Sequence, residues 1–232
     1  MIALPGDAMR VLGIAEYRVL GRLYSRRNEV WKISASGEGG ENRRLVAKRF
    51  GDRALCEREA GLLLVLGREG APVPRLLYHR GTLILTEYIE GPTLVDVLFR
   101  ETFVPVLLVD ALEVLYRGLR QIEPALVLQD MNLRNFILDR EQNRVFRVDL
   151  ESAAAGSVAE DLGKLCAFCL TYDPPFTDDR MRTTRGLFGH LVSRFEVSRA
   201  RVTEEILREF LRMEDRRGIA VPDEVRLAVT AW

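Results

Sequence analysis

Hydrophobic and polar positions alternate along the first part of the chain, and β-branched residues are frequent there. From Tyr17 to Phe50 this pattern predicts three strands, interrupted by a glycine-rich turn at residues 36–40. A stripe of apolar residues at helical spacing predicts a helix from about Arg53 to Leu66. Two further short strands are predicted at 76–79 and 83–88. We therefore expect a five-stranded sheet with one helix.

After Gly91-Pro92 the hydrophobic pattern becomes mostly helical. Helices are predicted at about 94–100, 104–121, 160–172, 178–195, 203–212 and 223–230. Between the second and third, two short apolar runs flank the polar stretch 139–144, which predicts a β-hairpin. The chain is thus expected to be an α+β protein with two lobes, an N-terminal lobe at residues 1–89 and a mostly helical C-terminal lobe at 90–232.

Composition narrows the function classes. The chain has 34 Lys+Arg against 34 Asp+Glu and 47% hydrophobic residues. A formal net charge of zero argues against a dedicated nucleic-acid binder, and the apolar content is sufficient for a folded core. Apolar runs stop short of the ~18 residues that a membrane span needs. Because residues 1–10 lack the pattern of a secretory signal, we expect a cytoplasmic protein.

The three cysteines are too few for a disulfide framework. Cys166 and Cys169 have the spacing of a metal or redox pair, but they lie in an apolar helical stretch without a neighbouring His. A buried free cysteine packs as a small hydrophobic residue. We therefore favour a core role over a metal or redox site for both.

The segment with the most chemical information runs from Leu128 to Glu151. Asp130 is followed five residues later by Asn135, then by the predicted hairpin and by Asp149 at the end of an apolar strand. A phosphotransferase needs a carboxylate near the attacking hydroxyl, and hard oxygen donors that hold magnesium. The alternative is that Asp and Asn in these loops only form turns and caps.

This pattern resembles the protein-kinase-like superfamily, and within it most closely the branch of the aminoglycoside phosphotransferases and choline kinases. In that branch the catalytic loop reads H-G-D-x-x-x-x-N and the metal-binding strand reads I-D-F/W-E. The resemblance implies ATP and Mg²⁺ as cofactors, Asp130 as the catalytic base, and Asn135 and Asp149 as metal ligands. Asp161, in a stretch similar to a helix start of the family, is expected to brace the catalytic loop.

A lysine and a glutamate are expected to form the ion pair that the family uses to hold nucleotide phosphates. Lys48 follows Leu45-Val46-Ala47, which resembles the family's V-A-x-K strand. Glu59 shares a predicted helix face with leucines three, four and seven residues further on, so that it needs a cationic partner. Glu57 is the less favoured partner, and Lys32 is the alternative lysine.

Two further segments resemble nucleotide-binding parts of the family. Residues 25–33 resemble the turn that covers the phosphates, which implies contacts from Ser25 and Asn28, although the usual glycines are mostly missing. Residues 85–91 resemble the connection between the lobes. By that resemblance Glu87 and Ile89 bind adenine through their backbone, and Thr86 lines the pocket.

Departures from the family narrow the function. Leu128 and Gln129 replace the residues that usually precede the base, Asn132 stands where protein Ser/Thr kinases have a lysine, and only eleven residues separate Asp149 from Asp161. A regulated protein kinase is therefore disfavoured. We expect transfer to a hydroxyl of a small molecule or a sugar-lipid, with an atypical protein kinase less favoured. The competing hypothesis is a pseudokinase that acts as an interaction module.

The acceptor itself is not identified by the sequence. Acidic residues near the C-terminus, such as Asp178-Asp179 and Glu204-Glu205, would suit a cationic acceptor such as an aminoglycoside or choline. The favoured interpretation is that both pairs, which follow a threonine, belong to helix N-terminal caps.

Overall fold

The computed structural model describes residues 2–37 and 39–232. It divides into two compact units, one comprising the chain up to Glu90 together with Asp149–Glu151, the other comprising Gly91–Val148 and Ser152–Trp232. The predicted α+β class is confirmed, with a five-stranded antiparallel sheet near the N-terminus and a helical C-terminal part. Glu38, in the predicted glycine-rich turn, lies outside the described residues.

The described residues of the first unit form two helices and five strands. They are α1 Gly6–Val11, β1 Glu16–Leu23, β2 Glu29–Ser36, β3 Asn42–Arg49, α2 Arg53–Arg68, β4 Leu76–Arg80 and β5 Leu83–Glu87. The strand order is β1-β2-β3-β5-β4, and every neighbouring pair is antiparallel. Helix α1 was not predicted, because six residues are too short to show helical periodicity.

Alternation along the strands separates two faces of this sheet. One face carries the buried Trp31, Ile33, Leu45 and Leu85, and it packs with the N-terminal segment that includes α1. The residues between them in sequence point to the opposite face. Lys48 stands on that face between Val30 of β2 and Ile84 of β5.

The second unit contains the remaining elements. They are α3 Leu94–Val97, α4 Val104–Ile122, β6 Leu126–Val127, a 3₁₀ turn Leu133–Asn135, β7 Phe136–Asp139, β8 Arg144–Arg147, β9 Ala154–Ala155, α5 Val158–Thr171, α6 Asp178–Phe195, α7 Arg199–Arg217 and α8 Asp223–Thr230. The predicted hairpin is β7–β8. Helix α5 is buried along almost its whole length, between α6 and α7.

Helix α5 also carries the two closely spaced cysteines. Cys166 and Cys169 are fully buried. Burial raises the pKa of the Cys166 thiol well above its ordinary value, and it raises the pKa of the Cys169 thiol to about 12. Thiolates, not thiols, bind metals and attack disulfides. The structure therefore supports the core role predicted for both.

One predicted cap is wrong. Thr177 does cap α6, since its side chain accepts a hydrogen bond from the Arg180 amide. Thr203 does not begin a helix, because α7 already starts at Arg199, where the Ser198 side chain accepts from the Arg201 amide. Glu205 lies inside α7 and is buried.

Among the described residues, no helix combines the length and apolarity required to cross a bilayer.

Candidate active site

Lys48 is the central cation of a buried cluster in the first unit. Its Nζ atom lies 2.8 Å from Glu59 Oε2, 2.7 Å from Asp149 Oδ1 and 3.4 Å from Glu151 Oε2. Lys48, Glu59 and Glu151 are each less than 10% exposed. The structure thus brings together the lysine, the glutamate and the aspartate that the sequence singled out, and adds a third carboxylate.

Local structure explains why these side chains meet. Lys48 points from the face of β3 that does not pack on α1, and Glu59 lies on the buried face of α2 with Ala60, Leu62 and Leu63. The N-terminus of α2 is fixed by Asp52, whose side chain accepts from the Ala54 amide. Glu57 lies on the exposed side and pairs with Arg53, so that it is not the partner of Lys48.

Charge and burial act against each other in this cluster. Burial lowers the pKa of the Lys48 ammonium, but the charges of Glu59 and Asp149 oppose it and leave this pKa above its ordinary value. Burial raises the pKa of Glu59 to about 7, in spite of the opposing charge of Lys48. Lys48 therefore remains protonated at neutral pH.

The three carboxylates fit a divalent cation. Oxygen atoms of Glu59, Asp149 and Glu151 all lie within 4.8 Å of one another. Magnesium prefers hard oxygen ligands, and three carboxylates around one ammonium leave excess negative charge. The sequence analysis did not assign Glu151. The signal was present, because Asp149-Leu150-Glu151 matches the D-x-E end of the metal-strand pattern.

The turn between β1 and β2 contacts Glu151. Asn28 is buried, and its Nδ2 donates to Glu151 Oε2, while Arg27 lies 4.0 Å from the other carboxylate oxygen. Ser25 Oγ accepts from the Asn28 amide at 3.2 Å and holds the turn. Both residues predicted to contact nucleotide phosphates therefore belong to this turn, and Asn28 is bonded to a carboxylate.

The three residues predicted to bind adenine lie at the end of β5 and just after it. Thr86 and Ile89 are buried, whereas Glu87 is partly exposed. The Glu87 side chain accepts from the Arg75 amide at 2.8 Å, so that it braces the backbone here. Lys32 lies 3.8 Å from the centroid of the Tyr88 ring, which is a cation–π contact.

In the second unit, Asp130 and Asn135 form one hydrogen-bonded loop. Asn135 Nδ2 donates to Asp130 Oδ2 at 3.0 Å, and the Asn132 amide donates to Asp130 Oδ1 at 3.0 Å. The Asn132 side chain caps the 3₁₀ turn and accepts from the Tyr172 hydroxyl at 2.5 Å. Because the Asn135 nitrogen is used in this way, its carboxamide oxygen is the atom suited to bind a cation.

Asp161 on α5 fixes the start of this loop. Its carboxylate accepts from the backbone amides of Leu128 and Gln129, at 2.7 and 3.0 Å, and from the Tyr116 hydroxyl at 3.0 Å. Burial raises the pKa of Asp161 to about 6, against the effect of these hydrogen bonds. Asp161 therefore braces the backbone at the start of the loop, as expected from the sequence. Tyr172, a second support of the loop, had no sequence signal.

Comparisons with known proteins give little beyond this geometry. No family model matches the chain, and no curated protein matches it. Among solved structures, the chain is similar to the kinase PK-1 of the Cydia pomonella granulovirus, with 18% identity and a TM-score of 0.46 over 65% of this chain. The match spans 58% of the length of that protein. The functional interpretation therefore rests on the residues and contacts described above.

Proposed function

We propose that the chain is a protein-kinase-like phosphotransferase that moves a phosphoryl group from ATP, with magnesium, to a hydroxyl group. The observation that carries this proposal is that the buried Lys48 contacts both Glu59 and Asp149. A buried lysine between two carboxylates is expensive to maintain for stability alone. It does suit the binding of nucleotide phosphates near a metal.

The nucleotide would bind to the first unit. Lys48 offers an ammonium to the phosphates, and Glu59 orients it. Thr86 and the backbone of Glu87 and Ile89 supply an apolar wall and hydrogen bonds for the base, as the family resemblance implies. Ser25 and Asn28 hold the turn that would cover the phosphates. In this scheme residues 1–89 form the nucleotide-binding lobe, and residues 90–232 supply the catalytic loop.

Magnesium would be held by Asp149 and Asn135, and Glu151 is an additional ligand candidate. When bound, the ion would neutralise charge on the phosphate oxygens. The residues fit this role, because carboxylate and carboxamide oxygens are its preferred ligands. The grouped oxygens of Asp149 and Glu151 are the structural support for it.

Asp130 would take the proton of the acceptor hydroxyl. The two hydrogen bonds to its carboxylate fix its orientation, and each carboxylate oxygen has a second lone pair for the proton. A base held in one orientation is what general base catalysis requires.

The acceptor class follows from what surrounds this loop. Asn132 replaces the lysine of protein Ser/Thr kinases, and its side chain is engaged by Tyr172. Helix α5 starts at Val158, so that the chain between Asp149 and this helix is too short for a long activation segment. We therefore propose a small-molecule or glycolipid acceptor, as in the aminoglycoside phosphotransferase and choline kinase branch, in preference to an atypical protein kinase.

A pseudokinase is the second candidate, and one contact favours it. Asn28, in a turn with few glycines, donates to Glu151. If this contact persisted with ATP present, the turn would not cover the phosphates. The chain would then act as an interaction module.

An acceptor screen tests the proposal. ADP release from ATP and magnesium would be followed with aminoglycosides, choline and sugar-lipids as acceptors. Asp149→Ala should abolish turnover, whereas Asp139→Ala, a change of a hairpin aspartate bonded to Gln142, should leave it unchanged. Undiminished transfer by Asp149→Ala would overturn the assignment. Absence of ATP binding by the unaltered protein would favour the pseudokinase.

A further inference from the structure

The residue before Asp130 has an unusual backbone conformation. Gln129 has a φ of 64°, in the left-handed region that residues other than glycine seldom adopt. The Asp130 amide donates to the Leu128 carbonyl over 2.8 Å, so that these residues form a γ-turn centred on Gln129. A γ-turn with a positive central φ is rare and strained. Such a conformation persists only where its surroundings hold it.

The side chain of Gln129 is held at both ends. Its Oε1 accepts from Lys164 Nζ at 2.6 Å, and its Nε2 donates to the Ala155 carbonyl at 3.0 Å. All of these groups belong to the second unit. Because the donor and the acceptor of the carboxamide are both engaged, its position and orientation are fixed.

The lysine that holds Gln129 is itself fixed. Lys164 is 9% exposed and also bonds to Glu160, one turn earlier on α5, at 2.9 Å. This bond lowers the pKa of the Glu160 carboxyl. Lys164 is one of only three lysines in the chain. A buried ammonium is thus placed by α5 where it can bond the carboxamide that precedes the base.

The chain leaves room for this carboxamide at Gly156. A Cβ atom at this position would lie 2.5 Å from Gln129 Nε2 and 2.8 Å from Val127 Cγ2. A side chain at position 156 would therefore displace the carboxamide of Gln129. Glycine at position 156 is therefore consistent with the two hydrogen bonds that fix the Gln129 carboxamide.

We propose that Gln129 is a positioning residue, and that its side chain, clamped by Lys164 and the Ala155 carbonyl, holds the strained turn that sets the place of Asp130. The inference rests on the proposed function, because it assigns Asp130 the part of the base. It adds a side-chain clamp to the hydrogen bonds by which Asp161 already holds the backbone amides of Leu128 and Gln129. Lys164 acts through Gln129.

Substitution of Gln129 by glycine separates this proposal from a general packing role. Glycine adopts a positive φ without strain, so that a turn with glycine at its centre needs no clamp. Gln129→Ala should lower kcat at least about tenfold, since small misplacement of a reacting group costs up to ~100-fold, while KM for ATP stays within about twofold. Gln129→Gly should keep kcat within about threefold of the unaltered protein. Gln142→Ala, on the exposed hairpin, is the matched control.

Lys164 completes the test. Lys164→Met should lower kcat as Gln129→Ala does, but it should have no further effect when combined with Gln129→Gly. The proposal is overturned if Gln129→Ala keeps full kcat, if Gln129→Gly is as impaired as Gln129→Ala, or if Lys164→Met impairs the Gln129→Gly protein as strongly as the unaltered one.

Hydrogen exchange keeps the clamp testable if the proposed function fails. Amides of residues 128–135 should exchange faster in Gln129→Ala and Lys164→Met, and at the original rate in Gln129→Gly, whether or not the protein turns over ATP. Faster exchange in a protein without turnover would retain the clamp and reject the phosphotransferase. Full turnover with unchanged exchange in Gln129→Ala would reject the clamp alone.

Discussion

Lys48 donates a 2.8 Å hydrogen bond to Glu59, and both side chains are buried. Removal of the lysine leaves Glu59, Asp149 and Glu151 together without their shared cation. We expect Lys48→Met to lower the free energy of unfolding by about 3 kcal/mol, the usual cost of breaking a buried ion pair. The matched control is Glu57→Gln, which breaks the exposed ion pair with Arg53. This substitution should change the free energy of unfolding by less than about 0.5 kcal/mol.

The same pair can be tested by a double-mutant cycle. Glu59→Gln removes one of the three clustered carboxylates, so that Lys48→Met should cost less in that background than in the unaltered protein. Urea unfolding of the four proteins gives the coupling, which we expect to exceed about 1 kcal/mol. Strictly additive effects would contradict the buried contact.

Substitution of Lys48 by arginine separates position from charge. Lys48→Arg keeps the charge but replaces a compact ammonium by a wide planar group among three carboxylates. We expect phosphoryl transfer to fall at least ~100-fold, as for a misplaced charge-stabilising donor. Lys32→Arg is the control, because Lys32 is the alternative nucleotide lysine. Full turnover by Lys48→Arg, with loss in Lys32→Arg, would move the assignment to Lys32.

Asp161 predicts a pH dependence of stability. The pKa of the Asp161 carboxyl is about 6 in the folded protein, against an ordinary value of 3.8 that applies to the unfolded chain. The folded state therefore binds the proton of this carboxyl group more tightly than the unfolded state does. The stabilisation from this group is therefore complete below pH 3.8 and is lost as the pH rises through 6. The difference in unfolding free energy between the unaltered protein and Asp161→Asn should be about 2 kcal/mol larger at about pH 4.5 than at about pH 7.5. A difference that grows with rising pH would contradict the assignment.

Close packing of α5 on α7 gives a further prediction. A Cβ atom at Gly163 would lie 2.4 Å from the Cβ of Glu205 and 2.9 Å from its backbone carbon. Gly163→Ala should therefore lower the free energy of unfolding by about 1–3 kcal/mol. Gly186→Ala on α6, where a Cβ meets nothing within 4 Å, should raise it by up to about 1 kcal/mol through helix propensity. Equal effects in thermal unfolding would count against the α5–α7 packing.

Long periodic segments made most of the fold predictable. The strands of the sheet, helices α2, α4 and α6 and the hairpin appear within a few residues of their predicted bounds. Helix α1 and the short pair of β6 and β9 lie below the length at which a period can be recognised. The early start of α7 was missed because Ser198 caps it ahead of the first strongly apolar stretch.

The site was predictable where a residue type is constrained by its neighbours. Glu59 was found because a carboxylate on an apolar helix face needs a cation, and Lys48 is that cation. Contacts between segments that are distant in the sequence were not predictable in this way. Nothing in the sequence joins Asn28 to Glu151, 123 residues later, or Gln129 to Lys164, because such contacts depend on tertiary packing.

ATP binding distinguishes the two candidate functions. With ATP and magnesium at about 100 times the dissociation constant, the unaltered protein should gain about 2.7 kcal/mol of stability. Asp149→Ala should lose this gain because it removes a proposed metal ligand, whereas Asp139→Ala should keep it. A thermal shift assay measures the effect, and no shift at millimolar ATP would favour the pseudokinase.

The most direct measurement is the rate of ADP formation from ATP and magnesium without an added acceptor, compared between the unaltered protein and Asp130→Ala. Water can replace the acceptor hydroxyl, so that a phosphotransferase should hydrolyse ATP slowly. We expect slow, magnesium-dependent ADP formation that Asp130→Ala abolishes while ATP still binds. Equal rates in the two proteins, or no ADP formation by the unaltered protein when it is saturated with ATP, would contradict it.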